Sequence, residues 1–529
     1  MSDASIPSVT HLLLATAEQS RHADRYTMEQ LDLSGDTLME IAGNGAADKL
    51  ADHLPPASRI LLVCGKGNNA GDALVAGRIL MDKGHRIMIY PAMGHGGFTA
   101  ETQKNYDRLL SLAGMTGHEV PVWSDWPDDT SMQALPDVII DGIFGTGLKR
   151  EVSGPAGTVI RRINATGLPV CSMDIPSGLN CDTGEIMGCA IRARWTVQFG
   201  LRKLGCYLGE GPNHSGERSL VPLPFPSAAT ASIGVRLVDE QRELLPYLRQ
   251  HRRTDALHKY SNGVVYVIGG SAGLSGAPLY AARAAWSLGM GAVFLVHPSG
   301  RHSSPGTAAP ELIKIPVGSP DSTCFTENDA EFILEMIQER PGVVILGPGS
   351  GRDPRTMKFV RRVIAGTQSP LVVDADGLRA ITGNDNPFKN RQGDAPAVLT
   401  PHPGELSAMM DNLHGTGSGL NQPDDRQTDS NRIHAAIKLA GTYGATVVSK
   451  GSPVIITGGG TNRSLLTGYD TTLFCRAGFG DVLSGHIAAF LARGCDGLMS
   501  AENGLLTGCN RMKQAIKQGR DFPEPSDLI

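Results

Sequence analysis

The sequence lacks the features that mark membrane, secreted and nucleic-acid-binding proteins. No apolar run reaches the roughly 18 residues of a membrane span, and no signal-peptide pattern stands at the N-terminus. Its nine cysteines form no Cys-x-x-Cys pair and its 15 histidines show no ligand spacing, which argues against disulfides and a zinc site. Basic residues are not clustered, apart from a short patch at residues 250–253 that we interpret as a solvated face. We therefore expect a cytoplasmic protein that binds neither nucleic acid nor membrane.

What is abundant is glycine, at 65 of 529 residues, well above the usual share of about 7%. A chain of this length predicts two or three domains. Many short runs of Val, Ile and Leu, each followed by a glycine-rich turn, are typical of α/β folds that bind ligands at those turns. The polar, glycine-rich segment at residues 411–431 predicts an exposed loop.

The most informative stretch is Ala-Gly-Phe-Gly-Asp at residues 477–481, which runs into an apolar pattern of helical period. This order predicts a helix whose first free N–H groups and dipole favour an anion, above all a phosphate. Asp481 would then be placed to take a proton from a hydroxyl that attacks phosphorus. The alternative is that Asp481 is only a first-turn cap, since short glycine motifs also occur by chance.

The N-terminal half predicts a doubly wound parallel sheet. A buried strand at residues 59–64 leads into Gly-Lys-Gly-Asn-Asn-Ala-Gly-Asp at residues 65–72, interpreted as a turn before a helix that begins near Leu74. The turn is not Gly-x-Gly-x-x-Gly, so an ordinary dinucleotide fingerprint is not supported. Further strands are predicted at residues 85–90, 137–141 and 169–174.

Three oxygen-bearing side chains follow strands of this sheet and are expected to meet at one edge: Asn69, Asp141 and Ser177. One carboxylate with two neutral oxygens suits a weakly charged cation such as potassium better than zinc or iron. The alternative is three separate caps.

These motifs resemble the YjeF-type NAD(P)H-hydrate epimerase. The resemblance covers roughly residues 10–225 and rests on residues 38–43, 65–72, 141–148 and 174–180. It implies that the hydrated nucleotide is held by two segments: Asn68, Asn69, Ala70, Gly71 and Asp72, and Gly145, Thr146, Gly147, Leu148, Lys149, Arg150 and Glu151. It also implies Asp174 at the reacting ring, Lys203 as a further catalytic residue, and potassium at Asn69, Asp141 and Ser177. This chain departs from the family turn at Ala70 and Ala73, where glycine is usual, and each methyl could crowd the ligand.

In the C-terminal half, every predicted strand ends in small, polar or charged residues. Strands at residues 264–268, 292–297, 342–346, 371–373, 398–399 and 446–449 place their ends at one edge of a sheet. This half resembles the ribokinase-like fold and, within it, the ADP-dependent NAD(P)H-hydrate dehydratase. The resemblance covers about residues 240–515, and Thr-Pro-His-Pro-Gly-Glu at residues 400–405 is its most discriminating string.

By this resemblance, Ala277, Gly349, His402 and Asp481 contact the hydrate. The adenine nucleotide contacts Lys450, Gly451, Ser452, Pro453, Val454 and Gly480. Asp374 and Asp376 have either a functional role or a role as turn caps. Phe479 stands where the family more often has a small residue, and its ring is expected either to shield the anion site or to narrow it.

The expected fold class is therefore α/β with two domains: a Rossmann-like doubly wound sheet at residues 1–238 and a ribokinase-like α/β sandwich at residues 239–529. The expected function is epimerisation of hydrated NADH and NADPH by the first half, with potassium, and dehydration of the S hydrate by the second, with magnesium and ADP as co-substrate. We also expect a homo-oligomer, with the number of copies left open. Two alternatives remain: an ATP-dependent small-molecule kinase with a regulatory N-terminal domain, and a non-catalytic nucleotide sensor.

Overall fold

The computed structural model describes residues 10–94, 96–126, 136–242, 244, 259–306, 309–382, 386–391, 393–414, 428–460 and 463–529. The chain divides into two compact units, Met1–Arg236 and Leu237–Ile529. The basic patch at residues 250–253 lies outside the described residues, as does most of the segment 411–431. Both ends of that segment are helical rather than loop, because it overlaps the helices Pro403–His414 and Asp429–Tyr443.

The first unit is built on a six-stranded parallel sheet in the order β3-β2-β4-β5-β6-β8. A separate two-stranded parallel sheet joins β1 to β7. The strands of this unit are β1 Leu14–Ala15, β2 Arg59–Cys64, β3 Arg86–Pro91, β4 Val138–Gly142, β5 Val170–Met173, β6 Trp195–Phe199, β7 Arg202–Lys203 and β8 Glu217–Val221. Its helices are Ala17–Leu31, Gly35–Ala51, Asn68–Asp82, Ala100–Thr116, Gly154–Thr166, Gly211–Ser215 and Ser227–Thr230.

Alternating side chains of β2 show why this sheet is covered on both faces. Ile60 and Leu62 belong to one buried cluster, with residues of the helices Gly35–Ala51 and Asn68–Asp82. Leu61 belongs to the cluster on the opposite face, with residues of the helix Gly154–Thr166. Because successive side chains of a strand point to opposite faces, a run of apolar residues needs helices on both. The predicted doubly wound sheet is confirmed.

One local prediction in this unit is wrong. The helix after β2 begins at Asn68 rather than near Leu74, so residues 68–72 form its first turns instead of an open turn. Asn69 is therefore supplied by a helix start and not by a strand end. The short β-ladder between β1 and β7 was also not foreseen, because two residues give no readable periodicity.

The second unit is built on a ten-stranded sheet in the order β12-β11-β10-β13-β14-β15-β16-β17-β18-β9. In this order, each strand from β12 through β11 and β10 to β16 runs parallel to the next, and β17 is antiparallel to both β16 and β18. The strands are β9 Val235–Leu237, which spans the unit boundary, β10 Val264–Ile268, β11 Ala292–Pro298, β12 Ile313–Val317, β13 Val343–Leu346, β14 Leu371–Val373, β15 Ala397–Leu399, β16 Thr446–Ser449, β17 Ile455–Thr457 and β18 Ser464–Leu466. The helices are Gly276–Ser287, Asp329–Glu339, Pro354–Gly366, Asp376–Ala380, Pro403–His414, Asp429–Tyr443, Phe479–Leu491 and Gly497–Lys517.

A single large core covers one face of this sheet. It joins inward-facing strand residues to the helices Gly276–Ser287, Phe479–Leu491 and Gly497–Lys517. The parallel strands all present their carboxyl ends at the same edge, where a ligand site is expected. Among the described residues, no helix combines the length and apolar character needed to cross a membrane.

Candidate active sites

The first unit contains a cavity of about 880 Å³ at the carboxyl edge of its sheet. The strand order changes direction between β2 and β4, and the segments after these two strands supply much of the wall. Most of the residues predicted to hold the nucleotide line it: Asn68, Asn69, Asp72, Gly145, Thr146, Gly147, Leu148, Lys149, Arg150, Asp174 and Lys203. Three predicted residues lie outside this lining: Ala70, Gly71 and Glu151. Glu151 is exposed. Gly71 packs closely against Met39, since a Cβ added to Gly71 would lie 2.4 Å from Met39 Sδ.

The two alanines that replace family glycines face the protein core. Ala70 and Ala73 are fully buried in the apolar cluster between the sheet and its helices. Neither has a positive φ, since both lie within the helix Asn68–Asp82. The expectation that their methyls could crowd the ligand is therefore wrong, because the segment is helical and turns these side chains away from the cavity.

The predicted potassium ligands are linked by hydrogen bonds that run through Ser177 and the Phe144 backbone. The buried carboxylate of Asp141 accepts from Ser177 Oγ at 2.6 Å and from Ser177 N at 2.9 Å. Phe144 N donates to Ser177 Oγ at 2.8 Å, and Asn69 Nδ2 donates to Phe144 O at 3.0 Å. Burial raises the pKa of Asp141, while the hydrogen bonds from Ser177 and Ser172 act in the opposite direction. The structure thus brings together carboxylate, hydroxyl, amide and carbonyl oxygens, a donor set that suits a hard cation.

Asp174 and Lys203 form a buried ion pair at the cavity wall. Lys203 Nζ also donates to Phe199 O at 2.7 Å and Leu201 O at 3.0 Å, which fixes the ammonium in place. Asp174 accepts from Phe199 N at 3.0 Å and has a φ of +64°, a conformation uncommon for a residue other than glycine. Such strain is found where a side chain must be held in one direction.

Sequence reasoning missed one carboxyl in this cavity. Asp24, on the helix Ala17–Leu31, lines the wall together with Ser20 and Met28. Burial raises the pKa of Asp24 to about 6, with Lys203 opposing and Asp174 reinforcing the shift. Burial also raises the pKa of Asp72 well above its ordinary value. No motif marks Asp24, because its position depends on the pairing of β1 with β7.

The second unit contains a cavity of about 490 Å³ at the start of the helix Phe479–Leu491. Gly478 precedes the helix with a φ of +96°, and the first intrahelical bond runs from Val482 N to Gly478 O at 3.1 Å. The amides of Gly480 and Asp481 therefore belong to the helix start, where free N–H groups attract anions. Of the predicted contact residues, the cavity is lined by His402, Lys450, Gly451, Val454, Gly480 and Asp481.

A buried ion pair stands beside this helix start. Lys450 Nζ donates to Asp374 Oδ1 at 2.8 Å, and Ser484 Oγ donates to Asp374 Oδ2 at 2.7 Å. Burial alone would raise the pKa of Asp374, but Lys450 holds it below its ordinary value. A Cβ on Gly480 would lie 3.3 Å from Lys450 Nζ, so the absence of a side chain lets the ammonium approach the amides. Asp374 thus serves to hold Lys450.

Asp481 differs from Asp374 in the direction of its shift. Burial and the Asp374 carboxylate raise the pKa of Asp481 to about 7, against the opposing charge of Lys450. A carboxyl with this proton affinity can gain or lose its proton near neutral pH, which suits a general base. The geometry therefore places an acid–base group, an ammonium and free helix amides in one cavity.

His402 has a local structural task as well as a place in the cavity wall. Its Nδ1 accepts from Gly404 N at 3.0 Å and Glu405 N at 3.2 Å, while Glu405 Oε2 accepts from His402 N at 2.8 Å. These bonds cap the helix Pro403–His414. Burial and Lys450 lower the pKa of His402, so the ring is neutral near pH 7.

The remaining predicted residues lie outside this cavity. Ala277 is the second residue of the helix Gly276–Ser287, and a Cβ on Gly349 would lie 2.4 Å from Leu274 O in the segment before that helix. Ser452 is exposed, and Pro453 O accepts from Arg432 Nη2 at 2.8 Å. The ring of Phe479 packs edge-on against Phe474 in a small apolar cluster while also lining the cavity.

The fold and its sites define a two-domain α/β enzyme: a Rossmann-like unit followed by a ribokinase-like unit, each with a cavity that is lined by charged side chains. The family model described as "YjeF-related protein N-terminus" matches residues 35–205. The model described as "NAD(P)H-hydrate dehydratase" matches residues 265–508.

Proteins named as bifunctional enzymes are similar to this chain over most of its length. The bifunctional NAD(P)H-hydrate repair enzyme Nnr of Salinibacter ruber is 31% identical over 93% of this chain and 90% of its own length. The protein of that name from Moorella thermoacetica is 30% identical over 98% and 95%. Among solved structures, the ADP/ATP-dependent NAD(P)H-hydrate dehydratase of Bacillus subtilis, co-crystallised with ATP and Mg²⁺, is 20% identical with a TM-score of 0.43, covering 56% of this chain and 96% of its own. The chain belongs to the family of bifunctional NAD(P)H-hydrate repair enzymes.

Proposed function

We propose that this chain returns hydrated NADH and NADPH to the reduced cofactors, with one step of the repair in each half. Residues 1–238 interconvert the R and S hydrates, and residues 239–529 dehydrate the S hydrate with ADP as co-substrate. The observation that carries the proposal is the coincidence of two family matches with two separate cavities, each of which holds a lysine–carboxylate pair. The nine cysteines are all free thiols, which favours the cytoplasm.

Dehydration in the second unit requires a better leaving group than hydroxide. The ring hydroxyl attacks the terminal phosphorus of ADP, a new P–O bond forms, and the bond to AMP breaks. Phosphate then leaves the ring with the C–O electrons, an adjacent ring proton is lost, and the double bond returns. The products are the reduced cofactor, AMP and phosphate.

Asp481 is the base that takes the hydroxyl proton in this step, because its pKa of about 7 allows it to be ionised at neutral pH. The amides at Gly480 and Asp481 and the ammonium of Lys450 stabilise charge on the transferring phosphoryl group. We assign His402, Ala277 and Gly349 to the hydrate, and Gly480 with residues 450–454 to the adenine nucleotide.

Magnesium fits this site as a companion of the nucleotide. Asp376 interacts electrostatically with Asp481, and the carboxylate oxygens of Asp376 are ligands that Mg²⁺ prefers. When bound, the ion would share the charge of the phosphoryl group. The binding of ATP and Mg²⁺ named for the Bacillus subtilis dehydratase is in line with this assignment.

Epimerisation in the first unit requires a proton to move on and off the ring hydroxyl. Asp174 assists this movement, held in place by Lys203 and by Phe199 N. Potassium fits the oxygens of Asn69, Asp141 and Ser177, and would steady the segment after β4 against the nucleotide. The segments 68–72 and 145–151 hold the rest of the dinucleotide. Assembly as a homo-oligomer stays a prediction.

The first experiment follows recovery of reduced-cofactor absorbance from a mixed-epimer NADPH hydrate. Purified protein is supplied with magnesium, potassium and either ADP or ATP, and the nucleotide products are separated by chromatography. Complete recovery with AMP and phosphate as products supports both halves of the proposal. Asp481→Asn is expected to bind nucleotide normally and to abolish recovery, whereas Asp521→Asn, which changes an exposed carboxylate, is expected to match the wild type.

Two outcomes would contradict the proposal. Absence of recovery with either donor removes the repair function. A stable phosphorylated product made from ATP would instead favour the kinase interpretation, in which the first unit is regulatory.

A further inference from the structure

The N-terminal segment contributes one wall of the first cavity. β1 pairs with β7, placing Leu14 opposite Arg202 and Ala15 opposite Lys203. Ala17 N also donates to Asp182 Oδ1 at 2.7 Å. These bonds hold the start of the helix Ala17–Leu31 beside Lys203. The YjeF-related match begins only at residue 35, so this helix lies before the matched region.

One face of this helix is turned toward the cavity. Ser20, Asp24 and Met28 follow one another at intervals of one helical turn, and all three line the wall. The Ser20 hydroxyl is buried, at 7% exposure, and finds no hydrogen-bond partner within the described ranges. A buried hydroxyl without a partner on the wall of a cavity indicates a place where a polar ligand completes the hydrogen bonding.

The charges around Asp24 suit a carboxyl that exchanges its proton. Asp24 interacts electrostatically with Lys203, Asp174 and Asp72, which reach the cavity from three other segments. The other charged side chains on the wall are Arg21, Lys66, Lys149 and Arg150. Burial raises the pKa of Asp24 to about 6, so both of its forms are populated near neutral pH. Asp174 is instead paired with Lys203, which leaves the two carboxyls with different tasks.

We infer that Asp24 is a catalytic residue of the epimerase half, the carboxyl that gives a proton to the ring hydroxyl and takes it back. This inference rests on the proposed epimerase function. The protonated Asp24 donates to the hydroxyl, the C–O bond breaks as the ring nitrogen lone pair forms C=N⁺, and water leaves. Water then adds to the opposite face of that carbon, and the proton it releases passes through solvent to the Asp24 carboxylate. The net reaction exchanges one epimer for the other and consumes nothing.

The test measures epimerisation by itself, by NMR of a single-epimer NADPH hydrate without ADP, from pH 5 to pH 8. The non-enzymatic rate is subtracted at each pH. Asp24→Asn keeps the shape of the side chain and removes the proton; we expect kcat to fall on the order of 100-fold with KM little changed. In the wild type, kcat should decline as pH rises through about 6, since the acid form is lost; this limb should be missing in Asp24→Asn.

Two further variants separate chemistry from structure. Glu29→Gln changes an exposed carboxylate on the same helix and is expected to leave kcat and its pH dependence unchanged. Asp24→Glu keeps a titratable group and is expected to recover part of the activity together with a pH-dependent limb. Near-UV circular dichroism and urea unfolding of each variant report whether the first unit has folded, and dehydratase activity on the S hydrate with ADP reports on the second unit.

The outcomes distinguish this inference from the proposed function. If the wild type epimerises and Asp24→Asn matches it in rate and pH profile, the role of Asp24 is overturned while the proposed function stands. If Asp24→Asn does not fold, a wild-type kcat that shows no decline as pH rises through about 6 has the same consequence. If the wild type itself does not epimerise the hydrate, both fail.

Discussion

Two carboxyls of the second unit show how neighbouring charges set proton affinity. Asp374 is fully enclosed, yet Lys450 and Ser484 bind its two oxygens and keep it ionised. Asp481 has no hydrogen bond of that kind from Lys450, and the charge of Asp374 adds to the effect of burial. The same residue type thus serves as a fixed counter-ion at one position and, in the proposed function, as a base at the other.

The pKa of Asp481 predicts the pH dependence of dehydration. Because the base must lose its proton before it can act, kcat for the S hydrate with saturating ADP should fall as pH drops through about 7. Asp481→Asn should lower kcat by roughly 10²- to 10⁴-fold and abolish this limb. Steady-state rates from pH 5.5 to 9 provide the measurement. A wild-type profile that is flat across this range would exclude Asp481 as the base.

At the scale of elements, the start of the helix Asn68–Asp82 decides what the motif at residues 65–72 means. Its glycines and asparagines suggest an open turn, but the helix begins at the first asparagine. Asn68, Asn69 and Asp72 consequently face the cavity, whereas Ala70 faces the core. A helical turn, with 3.6 residues, separates these side chains onto two sides.

This arrangement predicts that placing glycine at residues 70 and 73, as in the family turn, does not improve epimerase activity. Ala70→Gly and Ala73→Gly should each destabilise the first unit by about 1 kcal/mol or more, since each loses helix propensity and a buried methyl. The epimerisation rate should not increase. Urea unfolding followed by tryptophan fluorescence, with the NMR epimerisation assay, tests both statements.

Ala113→Gly, at a buried position of the helix Ala100–Thr116, gives a matched control for the loss of stability away from the cavity. An epimerisation rate that rises in Ala70→Gly or Ala73→Gly but not in Ala113→Gly would show that the methyls do obstruct the ligand.

At the scale of the whole molecule, the two units divide a repair that neither completes for a mixture of epimers. The dehydratase accepts the S hydrate in the proposed function, so the R hydrate must first be converted. A defect in the first unit and a defect in the second therefore change the time course of cofactor recovery from a mixed-epimer hydrate in different ways.

Disabling the first unit alone should leave a two-phase recovery. With Asp174→Asn, we expect absorbance from a mixed-epimer hydrate to rise rapidly to a partial plateau and then to increase only at the spontaneous epimerisation rate. Adding a small amount of the Asp481→Asn variant should restore complete recovery, because that variant keeps an intact epimerase site. If Asp174→Asn alone reaches full recovery at the wild-type rate, Asp174 has no part in epimerisation.

The sequence by itself determined those features that depend on contiguous residues. The apolar runs that form the strands, the glycine-rich segments at their carboxyl ends and the position of Asp481 at a helix start could all be predicted, since turn chemistry and periodicity are local. Family motifs added the two-domain architecture and the expected chemistry. Most of the predicted nucleotide-contacting residues of the first unit do share one cavity.

Only the tertiary structure decided which distant groups meet. Asp374 and Lys450 are 76 residues apart, and their ion pair governs the charge beside Asp481. Asp24 reaches the first cavity because a two-residue strand pairs with β7, a contact too short to leave a pattern in the sequence. Proton affinities at both sites follow from burial and from these long-range neighbours, and neither is encoded in a local motif.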